Sequence, residues 1–170
     1  YVKAKIREFL KEDIPGTDIT SEHTINNKNK ATANIKAGEK CIFVGEQIIP
    51  HCFPNSCKVK LKIKDGTAID KGSLIGIIKG PAKILLERER VMLNLIQRLS
   101  GIATTTNQFV NKAKPFGVKI LDTRKTTPGL RLFEKHAVKI GGGWNHRLNL
   151  STGILIKDNH IQAAGGASRA

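Results

Sequence analysis

The hydrophobic period of this chain changes once, near residue 83, and that change most limits the folds open to it. Before it, Lys58-Val59-Lys60-Leu61-Lys62-Ile63-Lys64 alternates strictly. That is the period of a half-buried strand, with Val59, Leu61 and Ile63 inward and the lysines in water. After it, Leu85, Leu86, Met92, Leu95, Ile96 and Leu99 recur at helical spacing, with Glu87, Arg88, Glu89, Arg90 and Arg98 between them. Ser100-Gly101 is expected to interrupt this helix, and a second is expected over Ala103 to Lys114, ended by Pro115 and Gly117. From about residue 100, helices alternate with apolar runs at 118–122 and 153–157 that read as buried strands. Such alternation indicates parallel βα units, in a barrel or a doubly wound sheet. Only two or three units are present where a closed barrel needs about eight, so the chain reads as the front portion of a longer α/β protein.

Upstream of the change, Lys3 to Glu12 carries Ile6, Phe9 and Leu10 on one side and reads as a short helix, ended by the turn residues of 13–18. A strand-rich block follows. Strands are expected at Ala31–Ala37, Cys41–Val44, Lys58–Lys64 and Ser73–Lys79, with a brief helix between Gln47 and Phe53. Gly80-Pro81 closes this small α+β module. Downstream, a turn is expected at 126–129, a helix over Leu130–Ala137, and a weakly patterned end.

Charge narrows the partners. The chain holds 29 Lys and Arg against 14 Asp and Glu, a net charge of +15. That balance suits polyanions: nucleic acid, an acidic membrane surface, or phosphorylated small molecules. Aromatic residues make up only 5%, which argues against base-stacking platforms. No apolar run is long enough to span a membrane and no signal peptide is visible, so a cytoplasmic protein is expected. Cys41, Cys52 and Cys57 fit neither zinc knuckles nor an even disulfide framework and read as free thiols.

The chemistry concentrates in Asp122-Thr123-Arg124-Lys125-Thr126-Thr127-Pro128-Gly129-Leu130-Arg131. An apolar run delivers Arg124 and Lys125 to its carboxyl end, where parallel α/β folds bind ligands. His146 and Arg147 follow Gly141-Gly142-Gly143, and Lys157 ends the 153–157 run. If these strand ends share a face, five cationic or potentially cationic groups meet there and repel one another unless an anion lies among them. Arginine grips carboxylate or phosphate with a planar fork, and lysine acts as a point charge. The three glycines either bring backbone close to a ligand, as an anion nest, or end a helix in left-handed dihedrals. Asp122 is expected to pair with a nearby cation. No Ser–His–Asp spacing and no close pair of site carboxylates is visible.

These motifs, with Glu134-Lys135-His136-Ala137-Val138, Gly141 to Arg147, Ile154 to His160, the 89–104 segment and Glu12 to Thr20, resemble the quinolinate phosphoribosyltransferase family over nearly the whole chain. The resemblance implies a fold: an N-terminal α/β sandwich followed by an incomplete (β/α) barrel of parallel strands, with the domains expected at 1–100 and 101–170. It implies phosphoribosyl transfer from phosphoribosyl pyrophosphate to quinolinate with decarboxylation, giving nicotinate mononucleotide, CO2 and pyrophosphate for NAD synthesis. By the same resemblance Arg124, His146 and Arg147 bind the quinolinate carboxylates, and Thr123 is a further substrate-binding residue. Lys125 and Lys157 lie nearer phosphoribosyl pyrophosphate as catalytic residues, and Arg90 reaches the neighbouring subunit's site in a homodimer. Mg2+ accompanies pyrophosphate, with its ligands expected outside this chain. The chain alone is therefore expected to be inactive. Two rivals are a paralogue associated with molybdenum transport and a basic nucleic-acid-binding module.

Overall fold

The computed structural model describes residues 1–170. Its elements run α1 (Val2–Asp13), α2 (Ile19–Thr24), β1 (Lys30–Lys36), β2 (Cys41–Ile42), α3 (Ile49–Cys52), β3 (Lys58–Leu61), β4 (Ala68–Ile69), β5 (Leu74–Pro81), α4 (Ala82–Ala113), α5 (Arg131–Ile140) and α6 (Asp158–Ala164). Strands β1, β5 and β3 form one antiparallel sheet with β5 in the centre. The central position suits β5, which is the most apolar of the three, while the lysines of β1 and β3 face outward at the edges. A second antiparallel pair joins β2 to β4.

Helix α4 is the spine. Its face of Leu85, Met92, Leu95, Ile96, Leu99 and Ala103 is buried against Ile6, Phe43, Val44, Ile49 and Ile78. Each such leucine or isoleucine contributes about 1.5–3 kcal/mol by leaving water. The helix is continuous from Ala82 to Ala113, which corrects the expected interruption at Ser100-Gly101. Ser100 is buried and its hydroxyl accepts from Val44 N at 3.0 Å. The Thr104 hydroxyl accepts from Ile42 N at 2.8 Å and donates to Ser100 O at 2.6 Å. The small polar residues in mid-helix thus satisfy two backbone N–H groups in and beside β2, a docking role rather than a break.

Past α4 the chain is less regular than its apolar runs suggested. The 118–122 run makes a single parallel bridge, Leu121 to Trp144, and Val118 and Leu121 are exposed. The 153–157 run pairs with nothing, and Ile154 is 94% exposed. Both were expected as buried strands. An apolar run becomes a strand only when neighbours take up its N–H and C=O groups, and here the first run has one such neighbour and the second has none. Elements too short to show a period, α2, β4 and α6, escaped the sequence reading. The fold is nonetheless α/β, a mixed helix-and-sheet module followed by the first units of a barrel.

Candidate functional site

The parallel bridge brings two strand ends together. Trp144 N donates to Ile120 O at 2.8 Å and Asp122 N to Trp144 O at 3.0 Å. The residues that follow, 123–127 and 145–148, therefore leave the bridge side by side. The first loop turns at once: Thr126 N donates to Arg124 O at 2.9 Å, and Lys125 N to the Thr123 hydroxyl at 3.0 Å. It closes through Leu130 N donating to Thr127 O at 3.0 Å, with Gly129 at φ +81°, a left-handed position that glycine takes without cost.

Helix α5 holds both loops from beneath. Arg131 donates through Nε to the Thr126 hydroxyl at 3.1 Å. Glu134 accepts from Thr127 N at 3.1 Å and from Arg98 Nε at 2.8 Å. Lys135 donates to Asp122 Oδ1 and, at 3.0 Å, to His146 O. Asp122 Oδ1 also accepts from His146 N at 2.8 Å. With its amide oriented to suit the two acceptors around it, Asn145 donates to Asp122 Oδ2 and Lys135 O, each at 2.9 Å. Asp122 therefore has the cationic partner expected of it.

Above this layer stand the cations. Arg124 and Arg147 are half-buried, and Lys125 and His146 are exposed. Arg147 donates to Gly153 O at 3.1 Å, which ties the third segment to the second. Lys157 is exposed on that segment, where its backbone N donates to His160 Nδ1 at 3.1 Å, and its side chain makes no hydrogen bond or ion pair with the other cations. Thr123 is exposed beside Arg124. Arg90 lies on an exposed face of α4 and has no hydrogen bond or ion pair in the chain. The structure thus carries Thr123, Arg124, Lys125, His146 and Arg147 on two adjoining loops, with Lys157 on the third segment and Arg90 on α4.

None of Arg124, Lys125, Arg147 or Lys157 is paired with a carboxylate. The Nε atoms of Arg124 and Arg147 are shielded from solvent and have no hydrogen-bond partner. A dianion would meet the two guanidinium groups through their terminal nitrogens and supply the counter-charge that no carboxylate of the chain provides. Several cavities lie elsewhere in the chain. One of about 650 Å³ lies between α4 and the 35–43 segment and contains none of these cations. We assign the site from the cations and their orphaned donors, since charge rather than cavity size decides where a small dianion binds.

The glycine run resolves toward packing. Gly141 and Gly143 press onto α4, where a Cβ on Gly141 would stand 2.4 Å from Ala103 O. Gly142, at φ +92°, lets the chain leave α5. No three His, Cys, Asp or Glu side chains group as a metal site. Asp122, the carboxylate nearest the cations, has both oxygens committed.

Two family models match: the N-terminal domain of quinolinate phosphoribosyl transferase over residues 18–100, and its C-terminal domain over 102–170. A probable nicotinate-nucleotide pyrophosphorylase (carboxylating) of Bacillus subtilis is 48% identical over 167 residues, 96% of this chain and 57% of that protein. A chloroplastic nicotinate-nucleotide pyrophosphorylase of Arabidopsis thaliana is 45% identical, over 97% of this chain and 48% of that protein. Among solved structures, the nicotinate-nucleotide pyrophosphorylase of Ehrlichia chaffeensis superposes with a TM-score of 0.91 at 41% identity, covering 96% of this chain and 61% of that one. The chain thus spans about half the length of the curated relatives it matches. The matches lend no support to a nucleic-acid module or a molybdenum-transport paralogue.

Proposed function

The chain belongs to the quinolinate phosphoribosyltransferase family, and we propose that the protein to which these residues belong makes nicotinate mononucleotide from quinolinate and phosphoribosyl pyrophosphate. The observation that carries this reading is the pair of half-buried arginines, Arg124 and Arg147, on adjoining loops with no carboxylate partner and with orphaned Nε donors. Two planar forks suit the two carboxylates of quinolinate. Thr123 and His146 add hydrogen-bonding groups at the same loops. Lys125 and Lys157 serve the phosphoribosyl pyrophosphate side as point charges.

The chemistry then needs little from the protein beyond placement. The ring nitrogen of quinolinate forms a bond to the anomeric carbon of the sugar, and the bond to pyrophosphate breaks with its electron pair leaving on oxygen. The ribosylated ring nitrogen is cationic. It stabilises the electron pair left on the neighbouring ring carbon when CO2 departs, and a proton then takes that pair. Fixed cations that orient both anions lower the entropic and electrostatic parts of the barrier together. Magnesium, when bound, offsets charge on the leaving pyrophosphate, and its ligands come from residues outside this chain.

The remaining features of this reading are a sandwich domain over 1–100, the first part of a barrel over 101–170, and a cytoplasmic homodimer. In that dimer Arg90, exposed and unpaired on α4, enters the neighbouring subunit's site. Three free cysteines suit a reducing compartment.

Calorimetric titration of quinolinate tests the site. Arg124→Ala or Arg147→Ala should each weaken binding about 10- to 100-fold, the range that follows from about 1.5–3 kcal/mol for a hydrogen bond to a charged group. Unchanged affinity in both variants would reject the assignment. The isolated 170-residue chain should show no appreciable turnover in a pyrophosphate-release assay, and measurable release from it would refute that expectation.

A further inference from the structure

Lys135 belongs to none of the substrate-facing groups, yet it is the most deeply buried cation near them. Its side chain is 3% exposed and that of its partner Asp122 is 6% exposed. The ammonium group donates to Asp122 Oδ1 and to His146 O. Asp122 Oδ1 in turn accepts from His146 N. One lysine and one aspartate thus hold both the N–H and the C=O of the same residue, His146. Asn145 closes the arrangement through Asp122 Oδ2 and Lys135 O. Arg124 follows Asp122 by two residues, and Arg147 follows His146 by one.

Building on the proposed function, we infer that Asp122 and Lys135 are a positioning pair that sets the spacing of the two quinolinate-binding arginines. The two arginine loops share only one backbone bridge, Leu121 to Trp144, and that bridge ends before either arginine. What fixes the separation beyond it is the polar layer below. A bare ion pair would be a poor way to stabilise this region, because desolvating two charges offsets most of their attraction. A pair that also satisfies both backbone groups of a site residue does something an apolar pair cannot: it fixes where His146 sits relative to Asp122. Two forks that must meet the two carboxylates of one rigid ring tolerate errors well under 1 Å.

Quinolinate and phosphoribosyl pyrophosphate affinities in the full-length protein separate this role from simple stability. Lys135→Met should weaken quinolinate binding at least tenfold and weaken phosphoribosyl pyrophosphate binding several-fold less, since Lys157 lies on a segment that the pair does not contact and only Lys125 shares the Arg124 loop. Amide hydrogen exchange at His146 should quicken at least tenfold without any ligand. Lys135→Arg, which keeps the charge and its donors, should recover most of the quinolinate affinity. If Lys135→Met does not fold, Asn145→Ala, at an exposed position, should show the same split at about threefold. A residue with only a structural role would lower the competent fraction of protein without changing the dissociation constant of the rest. A wild-type quinolinate affinity in folded Lys135→Met, or in Asn145→Ala where Lys135→Met does not fold, would overturn the inference. So would an unchanged exchange rate at His146 in Lys135→Met. Arg124→Ala is the control. If it weakens quinolinate binding while the Lys135 variants do not, the functional reading stands and the positioning pair falls. If the wild-type protein does not bind quinolinate, both fall.

Discussion

Lys135 and Asp122 also make a stability statement that their surroundings sharpen. With side chains 3% and 6% exposed, neither charge can turn to water if the other is removed. Lys135→Met leaves a buried carboxylate uncompensated and should cost about 3–5 kcal/mol. Adding Asp122→Asn removes that stranded charge and keeps an acceptor for His146 N, so the double variant should regain most of the loss. Urea unfolding of the three proteins checks this, and a double variant as unstable as the single would show that the pair is no unit. At this scale the sequence was only partly legible. The spacing of Asp122 to Arg131 placed Arg124 at a strand end, and the need for a counter-ion to Asp122 followed from its apolar neighbours. Its partner could not be named, because Lys135 lies 13 residues away on a separate helix and nothing in a local pattern pairs them.

Helix α4 and its contact with the end of α5 decide the second scale. Gly141 has an ordinary helical backbone, φ −71°, so its glycine is not there for conformational freedom. It is there because a Cβ would stand 2.4 Å from Ala103 O and 2.8 Å from Thr106 Cβ, atoms of α4 that cannot move aside singly. Gly141→Ala should destabilise by about 1–3 kcal/mol through forced separation of the helices. Gly16→Ala, where nothing lies within 4 Å, should stay within about 0.5 kcal/mol. Thermal unfolding of both variants separates close packing from the general effect of replacing glycine. The sequence left the glycine run open between a nest and a helix end because the deciding atoms belong to α4, some 40 residues earlier. For the same reason Ser100-Gly101 looked like a break: the backbone N–H groups that the hydroxyls of Ser100 and Thr104 serve lie on residues 44 and 42. Long periods such as 85–99 and 58–64 were legible because they need only themselves to be seen. The runs at 118–122 and 153–157 were legible as apolar but not as strands, because a ladder requires a partner.

Across the whole molecule, two acidic side chains tie separate parts together and make its stability depend on pH. Asp65, in the loop before β4, accepts from Gly45 N at 2.7 Å and Glu46 N at 2.8 Å and faces His136 of α5 at 3.6 Å. Burial pushes its carboxyl up, but His136 and the two backbone N–H groups together outweigh burial and hold it below the usual aspartate range. Glu134 joins α5 to α4 and to the 123–130 loop. Burial raises it, and Arg98 with Thr127 lowers it further, so it too lies below its ordinary value. A carboxyl depressed in the folded state binds protons more weakly there than in the unfolded chain. Its contribution to stability is therefore complete above the unfolded value, about 4 for these residues, and is lost as pH falls through the lower folded value. Neither group gives any reason for stability to change between pH 7 and about 5. Below about pH 4 the unfolding midpoint in urea should fall, and Asp65→Asn with Glu134→Gln should be less stable than the parent at neutral pH yet lose less on acidification. The two curves should converge once the pH is low enough to protonate both carboxyls in the folded state. The Glu134→Gln change also loosens the link from Thr127 to α5 beneath Arg124, so quinolinate affinity measured on the same variants would show whether the acid-sensitive ties and the site share one framework. A parent and double variant with parallel pH profiles would mean that other carboxylates control acid unfolding.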